Sequence, residues 1–376
     1  MFYKNARIYT SDFRFHMGAF EVKDGLFGEI LPENVPAGAI DLQGATVIPG
    51  LLEVHSHGNS GFDFADGDYE GLKAMAKYYA QCGVTSFAPA SLTLPYDVLE
   101  KAFANAKQLH EEKPEGLSRL MGIHMEGPYF SYKKRGAQNP EYLKDPDFDG
   151  FKALYDACGG LISIVDVAPE LPGAAEFVKK AKDYCTVAIA HTDCTYDDAR
   201  AAVDAGVTHL VHLYNAMPGI HHRNPGVIPA GSENSNVQAE IICDGFHVHP
   251  ASVRLAFTMF KDRTIIVSDS GRCAGQPEGT RFDIGGQMGE LKGGVARLVA
   301  DGTICCSASN MWKCMTNTIS WGIPEEEAVR SATYNPAKAI GALEKVGSIE
   351  TGKYADFIIT NADYSEKRVF IGGKEI

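Results

Sequence analysis

The sequence predicts an α/β protein: a TIM-like (β/α)8 barrel carrying a small β-sandwich built from both chain ends. Three observations predict it. Eight apolar, β-branched runs recur through the middle of the chain, and each ends in polar or metal-capable residues. Helix-like segments fill the intervals, and eight strand-plus-helix units make such a barrel, with its reactive end at the strand C-termini. Both flanks read as short alternating strands. The boundaries that follow are residues 1–49 for the N-terminal part of the sandwich, 50–345 for the barrel and 346–376 for the C-terminal part.

The N-terminal flank alternates in Ala19-Phe20-Glu21-Val22-Lys23 before the turn Asp24-Gly25. The eight runs then follow in order: Gly50 to His57, Thr85 to Thr93, Leu120 to Gly127, Leu161 to Glu170, Cys185 to Thr192, Thr208 to Asn215, Ala239 to His247 and Thr264 to Ser270. Between them, Glu70 to Gln81 is amphipathic and stops at Gly83, and Tyr196 to Ala205 stops at Gly206. A glycine after the last periodic residue is a helix-end signal, because it adopts the left-handed backbone without a Cβ clash. Both glycines open the same tripeptide, Gly-Val-Thr, which reads as helix end followed by strand start. The C-terminal flank repeats the strand pattern in Ala355 to Thr360 and Arg368 to Gly373. Neither flank is long enough for a core of its own, so the two are expected to pair.

Composition excludes several classes. The 376 residues include 35 basic and 48 acidic ones, so the net charge is 35 − 48 = −13. That balance argues against nucleic-acid or anionic-membrane partners, which need a basic face. The nine cysteines, at 82, 158, 185, 194, 243, 273, 305, 306 and 314, contain no CxxC pair and read as free thiols of a reducing compartment. The first residues lack the apolar stretch of a signal peptide, and no apolar run approaches the ~18 residues of a membrane span, so the expected location is the cytoplasm.

His55-Ser56-His57 ends the first run. Alternate residues of a strand share a face, so both imidazoles can point the same way and chelate one divalent ion. Alone, that pattern is weak. Glu126 (with His124 before it) ends the third run, His191 the fifth, His212 the sixth and Asp269 the eighth. Imidazoles and carboxylates ending five of eight strands would converge at one end of a barrel, which is where a metal site is built.

The chain resembles the amidohydrolase superfamily in Pro49-Gly50-Leu51-Leu52-Glu53-Val54-His55-Ser56-His57-Gly58, in Asn335-Pro336-Ala337 and in the segment from Gly347-Ser348-Ile349 to Asp356. Within it, the chain is similar to the N-acetylglucosamine-6-phosphate deacetylases. That likeness rests on His124-Met125-Glu126-Gly127-Pro128-Tyr129, Lys134 to Pro140, His212-Leu213-Tyr214-Asn215-Ala216-Met217 and Asp244-Gly245-Phe246-His247-Val248. It implies that Glu126, His191 and His212 hold a principal ion, and that His55 and His57 hold a second with Glu126 bridging and Asp269 nearby. It implies one or two divalent ions, zinc or iron, since N/O ligands separate these poorly. Asp269 is the expected catalytic base, taking a proton from water and returning it to the leaving amine.

The resemblance also implies the substrate contacts. Arg223 reaches the phosphate, from the neighbouring subunit of a homodimer in the family, and an arginine fork suits that group. Asn215 and Ala216 add polar and backbone contacts to the sugar phosphate, His247 contacts the sugar or helps polarise the substrate, and Gln138 stands where many members have histidine; it can donate a hydrogen bond but carries no proton. Cys305-Cys306-Ser307 replaces a usual Ala-Gly-Ser, and Arg272 is an extra charge near Asp269. His124 is expected behind the ligands. His16, His110 and His209 are read as structural, His249 as a surface or capping residue, and His221 and His222 have no assigned role. The implied reaction is deacetylation of N-acetylglucosamine 6-phosphate. The alternatives are an amidohydrolase for another N-acyl amino sugar, such as N-acetylgalactosamine 6-phosphate, or for another cyclic or N-acyl amide. A non-enzymatic, metal-stabilised descendant should have lost a ligand or the base, and none is missing here.

Overall fold

The computed structural model describes residues 1–376. Each of the eight apolar runs overlaps a strand: Leu51–Glu53, Val84–Phe87, Ile123–Met125, Ile162–Val167, Thr186–Ile189, His209–Leu210, Gln238–Ile242 and Thr264–Val267. The last six form one parallel sheet in sequence order, and the first two pair in parallel. The two groups meet where Ala90 bridges His124. The first and last strands meet where the Asp269 N–H donates to the His55 carbonyl at 2.9 Å. The sheet is therefore curled, with sequence neighbours adjacent throughout.

Side-chain alternation explains its packing. Leu52, Val54, Ile164, Ala188, Ala190, Val211, Ile242, Ile265 and Val267 form one buried cluster on the concave face. Val187, Ile189, Ile241 and Ile266, one position out of phase, join a second cluster with Phe103, Phe151, Phe177 and Phe257 from the helices outside. A period of two thus sends half of each strand inward and half toward helices. Burying one such Val or Ile is worth about 1.5–3 kcal/mol. The helix Tyr69–Gln81 is capped by Asp68, which accepts from Glu70 N–H, and Gly83 follows it at φ +88°. The helix Tyr196–Ala205 begins at Thr195 in a reciprocal cap with Asp198. No helix is long and apolar enough to cross a membrane.

The flanks do pair. Thr46–Pro49 lies between Phe2–Tyr9 and Phe357–Thr360 in one mixed sheet that also contains Phe15–Lys23 and Lys367–Ile371. Tyr3, Phe20, Phe27, Phe357 and Phe370 fill its core, with Phe357 stacked on Phe370 at 4.5 Å. One element lay outside the sequence expectation. Residues after Ser270 form a four-stranded antiparallel meander, Arg281–Ile284, Gln287–Lys292, Val295–Leu298 and Ile304–Ser307. Its signal was legible: alternating residues separated by Gly285-Gly286 and Gly293-Gly294, both pairs with positive φ.

Candidate metal centre

The strands end where the polar residues begin. His55, His191, His212 and Asp269 each stand two residues past the last residue of a strand, and Glu126 one past. At His191, His212 and Asp269 the chain turns sharply, with φ of +42°, +30° and +49°. Left-handed backbone at non-glycine residues is uncommon and concentrates at functional sites.

Four imidazoles gather on one carboxylate. Glu126 Oε1 lies 3.2 Å from His191 Nε2 and 3.5 Å from both His212 Nε2 and His55 Nε2. Glu126 Oε2 lies 3.4 Å from His57 Nε2, which is also 3.4 Å from Asp269 Oδ1. All of these residues are buried. Two ligand triads result, Glu126/His191/His212 and His55/His57/Glu126, sharing Glu126. The donor set fits a divalent cation. His55 Nε2 is buried and has no hydrogen-bond partner, so its lone pair has nothing else to serve.

A third grouping, His55/His124/Glu240, is of a different kind. His124 Nδ1 lies 2.8 Å from the Val54 carbonyl and Nε2 lies 2.9 Å from Asp166 Oδ1. Both partners are acceptors, so both ring nitrogens donate and none is free to bind a metal. Burial opposes a charged His124, but Asp166 outweighs it and raises the pKa.

Electrostatics follow from burial and partners. Burial would raise Glu126, yet the imidazoles gathered on it, His57 first and then His191, His212 and His55, hold it well below the usual carboxylate range. Asp269 is lowered in the same way: burial opposes, and the His57 contact with the charges of His55 and His57 prevails. It is therefore ionised and able to accept a proton. His247 is raised, because the hydrogen bond and charge of Asp244 exceed the effect of burial. Its Nδ1 donates to Asp244 Oδ2 at 2.7 Å, leaving Nε2 for the pocket.

That pocket is a cavity of about 280 Å3 over the cluster. His57, Glu126, His191, His212, Asp269, Gln138, Asn215, Ala216 and His247 line it, together with Cys305. Gln138 is more committed than its sequence suggests. Its Nε2 donates to Glu126 Oε2 at 2.7 Å and its Oε1 accepts from the Thr93 N–H at 2.7 Å. Arg223 is not brought in: it is exposed and donates to His222 Nε2 at 2.8 Å. Arg272 points away from Asp269 and is held by both oxygens of Asp66 at 3.1 and 2.7 Å.

Several participants escaped sequence reasoning. Leu92 and the meander residues Ile284, Thr303 and Ile304 close the pocket wall. Glu240 and Asp166 support His55, His209 and His124 from below. Their signal was a lone acid inside an apolar strand, as in Gln238-Ala239-Glu240-Ile241-Ile242, since a buried charge must be paired. His209, read as structural, meets Glu240 Oε1 at 2.8 Å. His249 caps the helix Pro250–Phe260, in accord with its reading.

The model of the amidohydrolase family matches residues 46–376. The N-acetylglucosamine-6-phosphate deacetylase of Vibrio furnissii is 30% identical over 359 residues, 95% of this chain and 88% of that protein. The N-acetylgalactosamine-6-phosphate deacetylase of Escherichia coli O157:H7 is 30% identical over 355 residues, 94% and 93% of the two chains. Among solved structures, a variant of the Mycobacterium smegmatis N-acetyl-D-glucosamine-6-phosphate deacetylase, in complex with N-acetyl-D-glucosamine-6-phosphate, superposes with a TM-score of 0.92 at 29% identity, covering 100% of this chain and 98% of that one. The chain belongs to the amidohydrolase family.

Proposed function

We propose that this amidohydrolase is a metal-dependent deacetylase that hydrolyses the acetamide of N-acetylglucosamine 6-phosphate to glucosamine 6-phosphate and acetate. The observation that carries the reading is the convergence of four imidazoles on Glu126, with Asp269 against His57, at the floor of a sugar-sized pocket. Its curled sheet is read as a (β/α)8 barrel over residues 50–345, and the mixed sheet of residues 1–49 and 346–376 as the sandwich.

Glu126, His191 and His212 would hold the principal ion, with His55 and His57 holding a second and Asp269 beside it. Zinc or iron suits such nitrogen and oxygen donors. When bound, the metal lowers the pKa of a water and polarises the acetyl carbonyl. The protein's residues do the rest. Asp269, ionised and 3.4 Å from His57, accepts the water proton and delivers it to the departing amine. His247, oriented by Asp244, presents Nε2 to the substrate. Gln138 holds the Glu126 carboxylate and has one further N–H for a sugar or carbonyl oxygen. Asn215 and Ala216 line the side of the pocket next to the loop that carries Arg223.

In the homodimer that the family resemblance implies, Arg223, outside its own chain's pocket, would reach the phosphate bound by the neighbour. The nine unpaired cysteines support a reducing, cytoplasmic setting. The test is acetate release from N-acetylglucosamine 6-phosphate by protein loaded with zinc or iron, against chelated protein and the unphosphorylated sugar. Release that needs both metal and phosphate supports the reading. Its absence from a metal-loaded protein removes it. The 30% identity to a galactosamine-epimer deacetylase favours one second reading, N-acetylgalactosamine 6-phosphate, which a higher kcat/KM for that epimer would select.

A further inference from the structure

Resting on the metal-centre reading above, we propose that Glu240 is the positioning residue for the His55/His57 half of the centre, reaching the other half only through its longer contact with the His212 main-chain N–H. Glu240 is fully buried on the strand Gln238–Ile242. Its Oε2 accepts from His55 Nδ1 at 2.7 Å and its Oε1 from His209 Nε2 at 2.8 Å. The His212 N–H adds a longer contact to Oε2 at 3.4 Å. Both oxygens are taken by N–H donors, so Glu240 is a supporting group and not itself a ligand. Its hold on Nδ1 fixes the tautomer of His55 and leaves Nε2 bare, 3.5 Å from Glu126 Oε1 and 3.9 Å from Asp269 Oδ1.

The selectivity follows from who supports each imidazole. His191 donates Nδ1 to the Lys134 carbonyl at 2.9 Å. Nδ1 of His57 and Nδ1 of His212 have no partner. Each triad therefore has one oriented imidazole: His191 by a main-chain carbonyl, His55 by Glu240. A carboxylate behind a histidine ligand also raises its basicity, and losing such a partner weakens metal binding by about 10–100-fold.

The experiment uses full-length protein stripped with chelator and titrated with cobalt(II) alone, reading bound equivalents per chain and the visible spectrum of the bound ion. Wild type should take up two equivalents. In Glu240→Leu the second equivalent should bind about 10–100-fold more weakly while the first keeps its affinity and spectrum. Glu240→Gln, which keeps an acceptor oxygen without the charge, should fall between the two. The proposal is overturned if wild type binds a single equivalent, if both variants bind both ions as wild type does, or if both sites weaken equally. Should Glu240→Leu not fold, Glu240→Gln decides alone, an unchanged second equivalent overturning the proposal. No substrate enters the measurement, so its outcome is separate from any failure of the deacetylase reading.

Discussion

Replacing Asp269 by asparagine isolates proton transfer from architecture. The backbone there is left-handed, φ +49°, a conformation asparagine tolerates at least as well as aspartate. The two bonds that fix the loop, Asp269 N–H to the His55 carbonyl at 2.9 Å and Ser307 N–H to the Asp269 carbonyl at 2.7 Å, are main-chain and survive the change. Side-chain volume is retained, and the four clustered imidazoles and Glu126 are untouched. What disappears is the ionised carboxylate facing His57 at 3.4 Å, the one acceptor placed to take and return a proton. General acid–base catalysis contributes about 10²- to 10⁴-fold. At 1.36 kcal/mol per decade, that is about 3–5 kcal/mol of transition-state stabilisation. The variant should therefore unfold at nearly the wild-type temperature, retain the principal ion by metal analysis, and lose about 10²- to 10⁴-fold in kcat for acetate release. A metal-replete Asp269→Asn within about tenfold of wild type would refute the assignment of the proton to this residue.

Gln138→Leu should leave the Glu126 carboxylate without one donor and the buried Thr93 N–H without an acceptor, a destabilisation of about 2–4 kcal/mol in denaturant unfolding; a change under about 0.5 kcal/mol would show that its amide does not hold Glu126. Arg223→Ala should raise KM for the phosphorylated sugar by about 10- to 100-fold, since a charged hydrogen-bonding group is worth about 1.5–3 kcal/mol, with little effect on the unphosphorylated one. Equal effects on both sugars would remove Arg223 from phosphate binding. Glu53, buried against Ser268 and the His55 N–H, has a pKa raised by burial from 4.5 to about 7. Between those values the folded chain keeps a proton that the unfolded chain has released, so stability falls as pH rises through the window, by about 3 kcal/mol in full. In chelated protein, Glu53→Gln should lose that part of the pH slope; identical slopes for variant and wild type between pH 5 and 8 would contradict it.

How far the sequence alone reached can be judged element by element. Every apolar run produced a strand because burial on both faces demands continuous Val, Ile and Leu, a pattern independent of distant contacts. Gly83 and Gly206 marked helix ends because their backbone conformations exclude other residues locally. The candidate cluster of imidazoles and carboxylates was legible because chemistry restricts metal donors to few residue types, and the strand ends concentrate them. Gln138 was visible as a departure from pattern, but its double commitment to Glu126 and Thr93 spans 12 and 45 residues and depends on where two loops meet.

Tertiary structure decided the rest. Glu240 supports a histidine 185 positions earlier, a relation with no local trace beyond an acid among isoleucines. It decided that Arg223 lies outside its own pocket, that Arg272 turns to Asp66, and that a meander of residues 281–307 supplies the wall. The division has a physical reason. Strand, turn and ligand identity are set by the energetics of single residues and near neighbours, which composition and period record. Orientation of a buried polar group is set by whichever partner satisfies it, and that partner is chosen by chain closure across the fold.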